Sequence, residues 1–317
     1  MILVADIGGT NARFAIAECG PNSISLHDPQ SFRAEDFETV RDAADAYLES
    51  VSAKPNQACF AVAAPIESDD IAFTNSPWSF NRKSIQTDLA FEQFSVVNDF
   101  AALAAGIAAI PEDFVEPVRG GTAQKNAPKL VIGPGTGLGQ ALLVPCGRED
   151  RVISTQGGHV SFAPRSDLEI QVMQFIAREH PRVSVERLLC GRGLINIHRA
   201  LCHIADTPRT SLQANEITQA ARTREHPIAA QAVSFFCNLL GAVVGDAALS
   251  SGARGGIYLA GGILPKIKDI FHKSDFEAHF LSKGRMQSYL EPIPITLITK
   301  EGTALYGAAK SLKEPTA

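Results

Sequence analysis

The sequence predicts an α/β protein of two domains, on three observations. Short apolar strand patterns alternate with amphipathic helical ones along most of the chain, the arrangement that lays helices on a central sheet. At 317 residues the chain exceeds what one ordinary core fills, so two domains are expected. Two strand–turn–strand hairpins with unusually glycine-rich turns, at residues 6–10 and 133–137, open two successive α/β regions. Such a pair of turns could hold a nucleotide from two sides. Glycine turns are also common in any sheet, so two unrelated hairpins remain the alternative.

The elements follow in order. Residues 2–6 are a short apolar strand that enters Gly8-Gly9-Thr10 and returns along residues 13–18. Residues 37–51 place Val40, Ala43, Ala44, Tyr47, Leu48 and Val51 at helical spacing and predict an amphipathic helix. Residues 59–64 and 94–97 are β-rich runs, the second leading into Asn98-Asp99 and an alanine-rich helix at 100–110. Periodicity lapses over residues 111–128, a stretch rich in Pro and Gly, which places a domain crossing there. Residues 130–132 and 138–144 form the second hairpin, and helices follow from about 167 to 250 with residues 191–193 as a break. The most apolar stretch, 227–249, is interrupted by Gln231, Ser234, Asn238 and Asp246, and reads as a buried helix rather than a membrane span. Residues 257–260 form a strand ending on Gly261-Gly262. Residues 295–298 form another, and 302–312 a helix of small residues.

Composition narrows the function. Hydrophobic residues at 45% and charged residues at 20% are ordinary for a globular chain. A formal net charge of -5 argues against a nucleic-acid binder, because phosphate backbones attract basic surfaces. The six cysteines are scattered without a C-x-x-C pair, which points to reduced thiols in a cytoplasmic protein. The N-terminal residues run straight into a strand pattern, with no basic region or cleavage site of a signal peptide.

Three glycine motifs carry the chemistry. In Ala5-Asp6-Ile7-Gly8-Gly9-Thr10, glycines at a strand end let the backbone approach a phosphate and point N–H groups at it. Thr10 adds a hydroxyl, and Asp6 can act on Mg²⁺ through its water shell. A tight turn capped by Asp and Thr is the plainer reading. The second motif, Gly133-Pro134-Gly135-Thr136-Gly137-Leu138-Gly139, is neither the dinucleotide fingerprint nor a P-loop. A glycine-turn clamp is then left as the way to hold phosphates. In the third, Leu259-Ala260-Gly261-Gly262-Ile263, glycines after a strand could let an adenine ring lie on backbone.

D-x-G-G-T, G-x-G-T-G-x-G and L-A-G-G in that order resemble the sugar kinase/actin superfamily. The match narrows to the bacterial-type glucokinases through Val97-Asn98-Asp99-Phe100, Gly157-Gly158-His159-Val160 with Phe162-Ala163-Pro164, and Val185-Glu186-Arg187 followed by residues 191–194. The related repressor and kinase family carries a cysteine-rich zinc motif and sometimes a DNA-binding helix pair; neither pattern appears in this sequence. The resemblance implies a two-domain actin-like ATPase (ribonuclease H-like) fold with an interdomain cleft. Residues 1–109 with 300–317 would form the small domain and 110–299 the large one. It also implies a homodimer, with ATP, Mg²⁺ and glucose as ligands and neither nucleic acid nor membrane as partner.

The expected activity is transfer of the ATP γ-phosphoryl group to the 6-hydroxyl of glucose, with domain closure excluding water. Asp99 would be the base, although an Asn-Asp helix cap explains the same residues. The resemblance assigns sugar recognition to Asn98, Asp99, His159 and Glu186, with Thr74-Asn75 and Trp78 on a sugar-side loop. His159 could instead be a core histidine, and Glu186 an exposed residue paired with Arg187. Gln156 stands where the family usually has glutamate. An amide still bonds hydroxyls but loses the charge-assisted bonds, so weaker glucose binding or altered selectivity is expected. That departure keeps a kinase for mannose, glucosamine or fructose open, and a non-catalytic ATP-gated sugar sensor is the alternative from another class. Ala64 replaces the family's common glycine, a small change. His198, Cys202 and His203 lack the further ligands that a metal site needs.

Overall fold

The computed structural model describes residues 1–20, 23–73, 78–147, 149–208, 211–223 and 226–313. The fold is mixed α/β, and the chain divides into two compact units. One comprises Met1–Val115, Ala141–Ser154 and Lys300–Ala317, the other Glu116–Gln140 and Thr155–Thr299.

The first unit begins with the hairpin of β1 (Ile2–Ile7) and β2 (Asn11–Cys19), to which β3 (Ile24–Arg33) adds as an edge. Thr39 starts α1 (Val40–Val51) through a capping box: its hydroxyl accepts from the Asp42 N–H at 3.1 Å, and the Asp42 carboxylate accepts from the Thr39 N–H at 3.0 Å. The helix therefore opens three residues later than hydrophobic spacing alone suggests. Then come β4 (Gln57–Val62), a ribbon of β5 (Asp70–Ala72) and β6 (Ser79–Asn81), α2 (Arg82–Asp88), β7 (Gln93–Asn98) and α3 (Asp99–Gly106).

The sheet order is β3-β2-β1-β4-β7, with β1, β4 and β7 parallel. Phe14 stacks on Tyr47 of α1 at 5.5 Å and meets Phe60 edge-on at 6.2 Å, so helix and sheet share one aromatic core. Burying each such side chain contributes about 1.5–3 kcal/mol. Trp78 belongs to this core, its indole N–H donating to the Phe37 carbonyl at 3.1 Å. Thr74 and Asn75 lie outside the described residues. The C-terminal helix (Ala304–Lys313) packs against α3.

A second, six-stranded sheet contains β8 (Val115–Arg119), β9 (Lys129–Pro134), β10 (Leu138–Cys146), β11 (Glu149–Thr155), β12 (Ile257–Leu259) and β13 (Ile295–Ile298), in the order β11-β10-β9-β12-β13-β8. Within the second unit, β12 runs parallel to both β9 and β13. Its helices are α4 (Asp167–Ala177), α5 (Gly191–Ile204), α6 (Ala214–Thr223), α7 (Pro227–Ser251), α8 (Lys268–Phe271), α9 (Phe276–Leu281) and α10 (Gln287–Leu290). Residues 191–193 are the first turn of α5 rather than a break, with Cys190 as the N-cap. By length and composition α7 could cross a membrane. Here it packs against α5, α6 and α9, burying Phe236, Leu240 and Val244, and Gly252 ends it in a left-handed turn.

Strands β3, β8 and β11 are absent from the sequence expectations, and all three are sheet edges. Pro29 lies in β3 and Pro117 in β8, and a proline is tolerated where one face of the ladder has no partner. None of the three has the buried alternation that marks an inner strand.

Candidate active site

In the first unit, the register of the parallel strands brings Ile7, Val62 and Asn98 side by side at the C-terminal ends of β1, β4 and β7. Loops leaving that edge carry the polar groups, as is usual where ligands bind α/β sheets. Ala5 and Ile7 are fully buried in the sheet, and Ile7 accepts a hydrogen bond from the Ala63 N–H at 3.1 Å. The Gly8-Gly9-Thr10 turn is closed by the Gly8 N–H on the Asn11 carbonyl at 2.9 Å, and Thr10 stands exposed.

Asn98 caps α3, its side-chain oxygen accepting from the Phe100 and Ala101 N–H groups at 3.1 and 3.2 Å. The cap thus falls to Asn98, while Asp99 occupies the first helical turn and takes a bond of 2.9 Å from the Phe100 N–H. Asp99 keeps a solvent-accessible edge although its carboxyl is enclosed. Burial foremost, and then the neighbouring Asp6 charge, pushes it up to about 7, against the smaller pull of hydrogen bonds to the carboxylate. Asp6 is raised too, by burial, with Arg13 pulling the other way. The result is two largely buried carboxyls at the strand ends, with the Asp6 charge acting on Asp99. One of them titrates near neutrality, which suits an acid–base group.

In the second unit, the Gly133–Gly139 turn lies on the 260–263 segment, backbone to backbone. The Ala260 N–H donates to Ile132 at 2.9 Å, and a Cβ on Gly133 would overlap the Ala260 carbonyl. The Gly191 N–H at the start of α5 donates to the Gly135 carbonyl at 3.0 Å. Added Cβ atoms on Gly135 or Gly262 would meet nothing within 4 Å, so both present bare backbone. Thr136 and Gly262 are exposed and Gly261 half-buried at φ +84.

Residues 161 and 184 form an antiparallel bridge, flanked by Phe162 N–H to Val183 and Val185 N–H to Val160, both at 3.0 Å. This brings the 3-10 turns Gly157–His159 and Val185–Arg187 together. Glu186 is half-buried, and its carboxylate accepts from the Leu138 N–H at 2.8 Å. A Cβ on Gly137 would come within 2.5 Å of that carboxylate. His159 and Gln156 are both exposed, so His159 is not a core histidine.

The contact from Glu186 to the glycine turn has no signal in the sequence, because it joins residues 48 positions apart. The cross-strand pair of Asp6 and Arg13, at 3.7 Å, is absent from the sequence expectations, although the register of the β1–β2 hairpin places the two residues opposite each other. His198 is buried against His226, with ring centroids at 5.4 Å.

Known proteins are similar to this chain in sequence and in fold. A family model described as Glucokinase matches residues 3–315. A glucokinase of Hahella chejuensis is 42% identical over 312 residues, 98% of this chain and 96% of the relative. The crystal structure of a glucokinase from an Antarctic psychrotroph, 36% identical, aligns over 98% of both chains with a TM-score of 0.88. A glucokinase of Balamuthia mandrillaris in complex with glucose shares the fold at 21% identity and a TM-score of 0.83, over 98% of this chain and 93% of that one.

Proposed function

The chain belongs to the glucokinase family, and we propose that Asp99 is the base that takes the proton from the 6-hydroxyl of glucose as ATP delivers its γ-phosphoryl group. The chain is an ATP-dependent hexose kinase whose products are glucose 6-phosphate and ADP. The observation that carries the assignment of the base is Asp99 itself, enclosed at the strand ends and titrating at about 7. At that value a substantial fraction is ionised at neutral pH and still basic enough to accept the hydroxyl proton. Asn98, as the cap of α3, orients Asp99 and offers its amide N–H to a sugar hydroxyl.

The other roles follow from chemistry. Glu186, fixed by the Leu138 amide, accepts from sugar hydroxyls, with His159 and Gln156 adding neutral partners. The backbone amides of Ala5–Thr10 and of Gly135-Thr136-Gly137 stabilise the phosphate charge, and Gly261-Gly262 present flat backbone to the adenine. Ala5 and Ile7 serve from inside the sheet, as the strand that carries Asp6 and the glycine turn. The burial of Asp6 and Asp99, and the Asp6 charge that raises Asp99, fit a nearby divalent cation. Asp6 would hold Mg²⁺ through its water shell, and the ion would supply charge neutralisation on the transferring group.

The family resemblance also supports an actin-like fold with domains at 1–109 plus 300–317 and 110–299, and a cytoplasmic homodimer. The test is ADP release with ATP and Mg²⁺ across a panel of hexoses, wild type against Asp99→Ala. Turnover on glucose that falls by roughly 10²–10⁴-fold in a folded variant supports the base. Near-normal turnover removes Asp99 from that role, and a faster rate on another hexose transfers the substrate assignment to that sugar.

A further inference from the structure

We propose that Arg13 is a positioning residue for phosphoryl transfer: one arm of its guanidinium steadies Asp6 while Glu301 holds the other, so the turn before the C-terminal helix takes part in catalysis. The proposal rests on the reading of Asp6 given above. In the β1–β2 hairpin Arg13 is the register partner of Asp6, which puts the two side chains on one face of the sheet. Arg13 Nη1 stands 3.7 Å from Asp6 Oδ2, and Nη2 donates to Glu301 Oε2. A guanidinium is a planar, rigid fork, so fixing one arm aims the other.

The environments of the three groups differ in a way that separates positioning from stability. The side chains of Arg13 and Asp6 are 22% and 19% exposed, whereas Glu301 is 59% exposed. Exposed ion pairs add little to folding, so losing the Glu301 carboxylate leaves stability nearly unchanged. Its effect is to be sought in the aim of Arg13. Glu301 is nonetheless held in place by its neighbours. Gly302 follows at φ +78, a left-handed conformation that other residues rarely adopt, and a Cβ there would lie 3.9 Å from Arg13 Cδ. The Leu305 and Tyr306 N–H groups then close onto the Gly302 and Thr303 carbonyls at 3.1 and 3.3 Å. Beyond them Ala304, Leu305, Ala308 and Leu312 are buried. A packed element therefore delivers Glu301 to Arg13, which needs no contact with substrate to act on Asp6.

The experiment is steady-state kinetics over a Mg²⁺ titration for wild type, Arg13→Met, Arg13→Lys, Glu301→Gln and the Arg13→Met/Glu301→Gln double variant. Expected for Arg13→Met is kcat about tenfold lower, a glucose KM within about twofold of wild type, and a higher half-saturating Mg²⁺ concentration. Arg13→Lys recovers part of that loss. Glu301→Gln lowers kcat about threefold with Tm nearly unchanged, and the double variant falls no further than Arg13→Met alone. Wild-type kcat and Mg²⁺ dependence in Arg13→Met, or losses that multiply in the double variant, would overturn the proposal. If Arg13→Met fails to fold, Arg13→Lys and Glu301→Gln decide, and wild-type kinetics in both overturn it. Asp6→Asn is run alongside. Full turnover there removes the reading of Asp6 itself. Loss there, with Arg13→Met unaffected, removes only the positioning role.

Discussion

Replacing Asp99 by asparagine should stabilise the protein, and more so as pH rises. The Asp99 carboxyl is raised from 3.8 to about 7 by burial and by Asp6. The unfolded chain releases this proton near the ordinary value, while the folded chain keeps it until near neutrality. Between those limits the unfolded state binds fewer protons, so stability falls with rising pH. A shift of roughly three pH units corresponds to about 4 kcal/mol at full development. Because Asp99 keeps an accessible edge, solvent trims this, and about 2 kcal/mol between pH 5 and pH 8 is the working figure. The asparagine side chain has no such proton to lose, and it nearly preserves the shape of Asp99 and the cap by Asn98. Urea titrations of wild type and Asp99→Asn at pH 5, 6, 7 and 8 measure it. The variant's advantage in midpoint should widen from pH 5 to about pH 7 and level off by pH 8. A difference independent of pH would mean that Asp99 titrates alike in the folded and unfolded chains, and the argument from its burial would fail.

Two further outcomes test the second unit. Gly137→Ala sets a methyl 2.5 Å from the Glu186 carboxylate and displaces it from the Leu138 amide. Losing that charge-assisted bond costs about 1.5–3 kcal/mol, and steady-state kinetics should show a glucose KM roughly ten- to a hundredfold higher with the fold intact. Gln156→Glu should lower the glucose KM several-fold, since a carboxylate forms hydrogen bonds roughly twice as strong as an amide's. A KM that does not fall would separate Gln156 from sugar affinity.

Much of this was legible in the sequence where one pattern dominates. The β1–β2 hairpin with its glycine turn, the core face of α1 and the buried α7 all announce themselves by spacing and composition. The edge strands did not, because Pro29, Pro117 and exposed side chains disguise them, and their pairing depends on neighbours distant in the chain. The glycines at 191 and 193 looked like a break because glycine weakens a helix interior, whereas the first turn tolerates it beside a capping Cys190. At the site, the family resemblance singled out Asp99 and Glu186 where their residue types alone allowed a helix cap and an exposed side chain, and the physics that sets them apart is long-range. Asp99 owes its titration to enclosure and to Asp6, and Glu186 its position to Leu138. Neither relation has a sequence period.

The measurement that bears most directly on Asp99 as the base is the pH dependence of kcat/KM for glucose at saturating ATP and Mg²⁺. A base must be ionised, so kcat/KM should rise with unit slope on the acid side and level off above the pKa of Asp99, which bound Mg²⁺ draws below its cation-free value of about 7. Asp99→Ala should lose that bend along with most of its activity. A wild-type profile with no rise on the acid side, or a bend that survives in Asp99→Ala, would contradict the account.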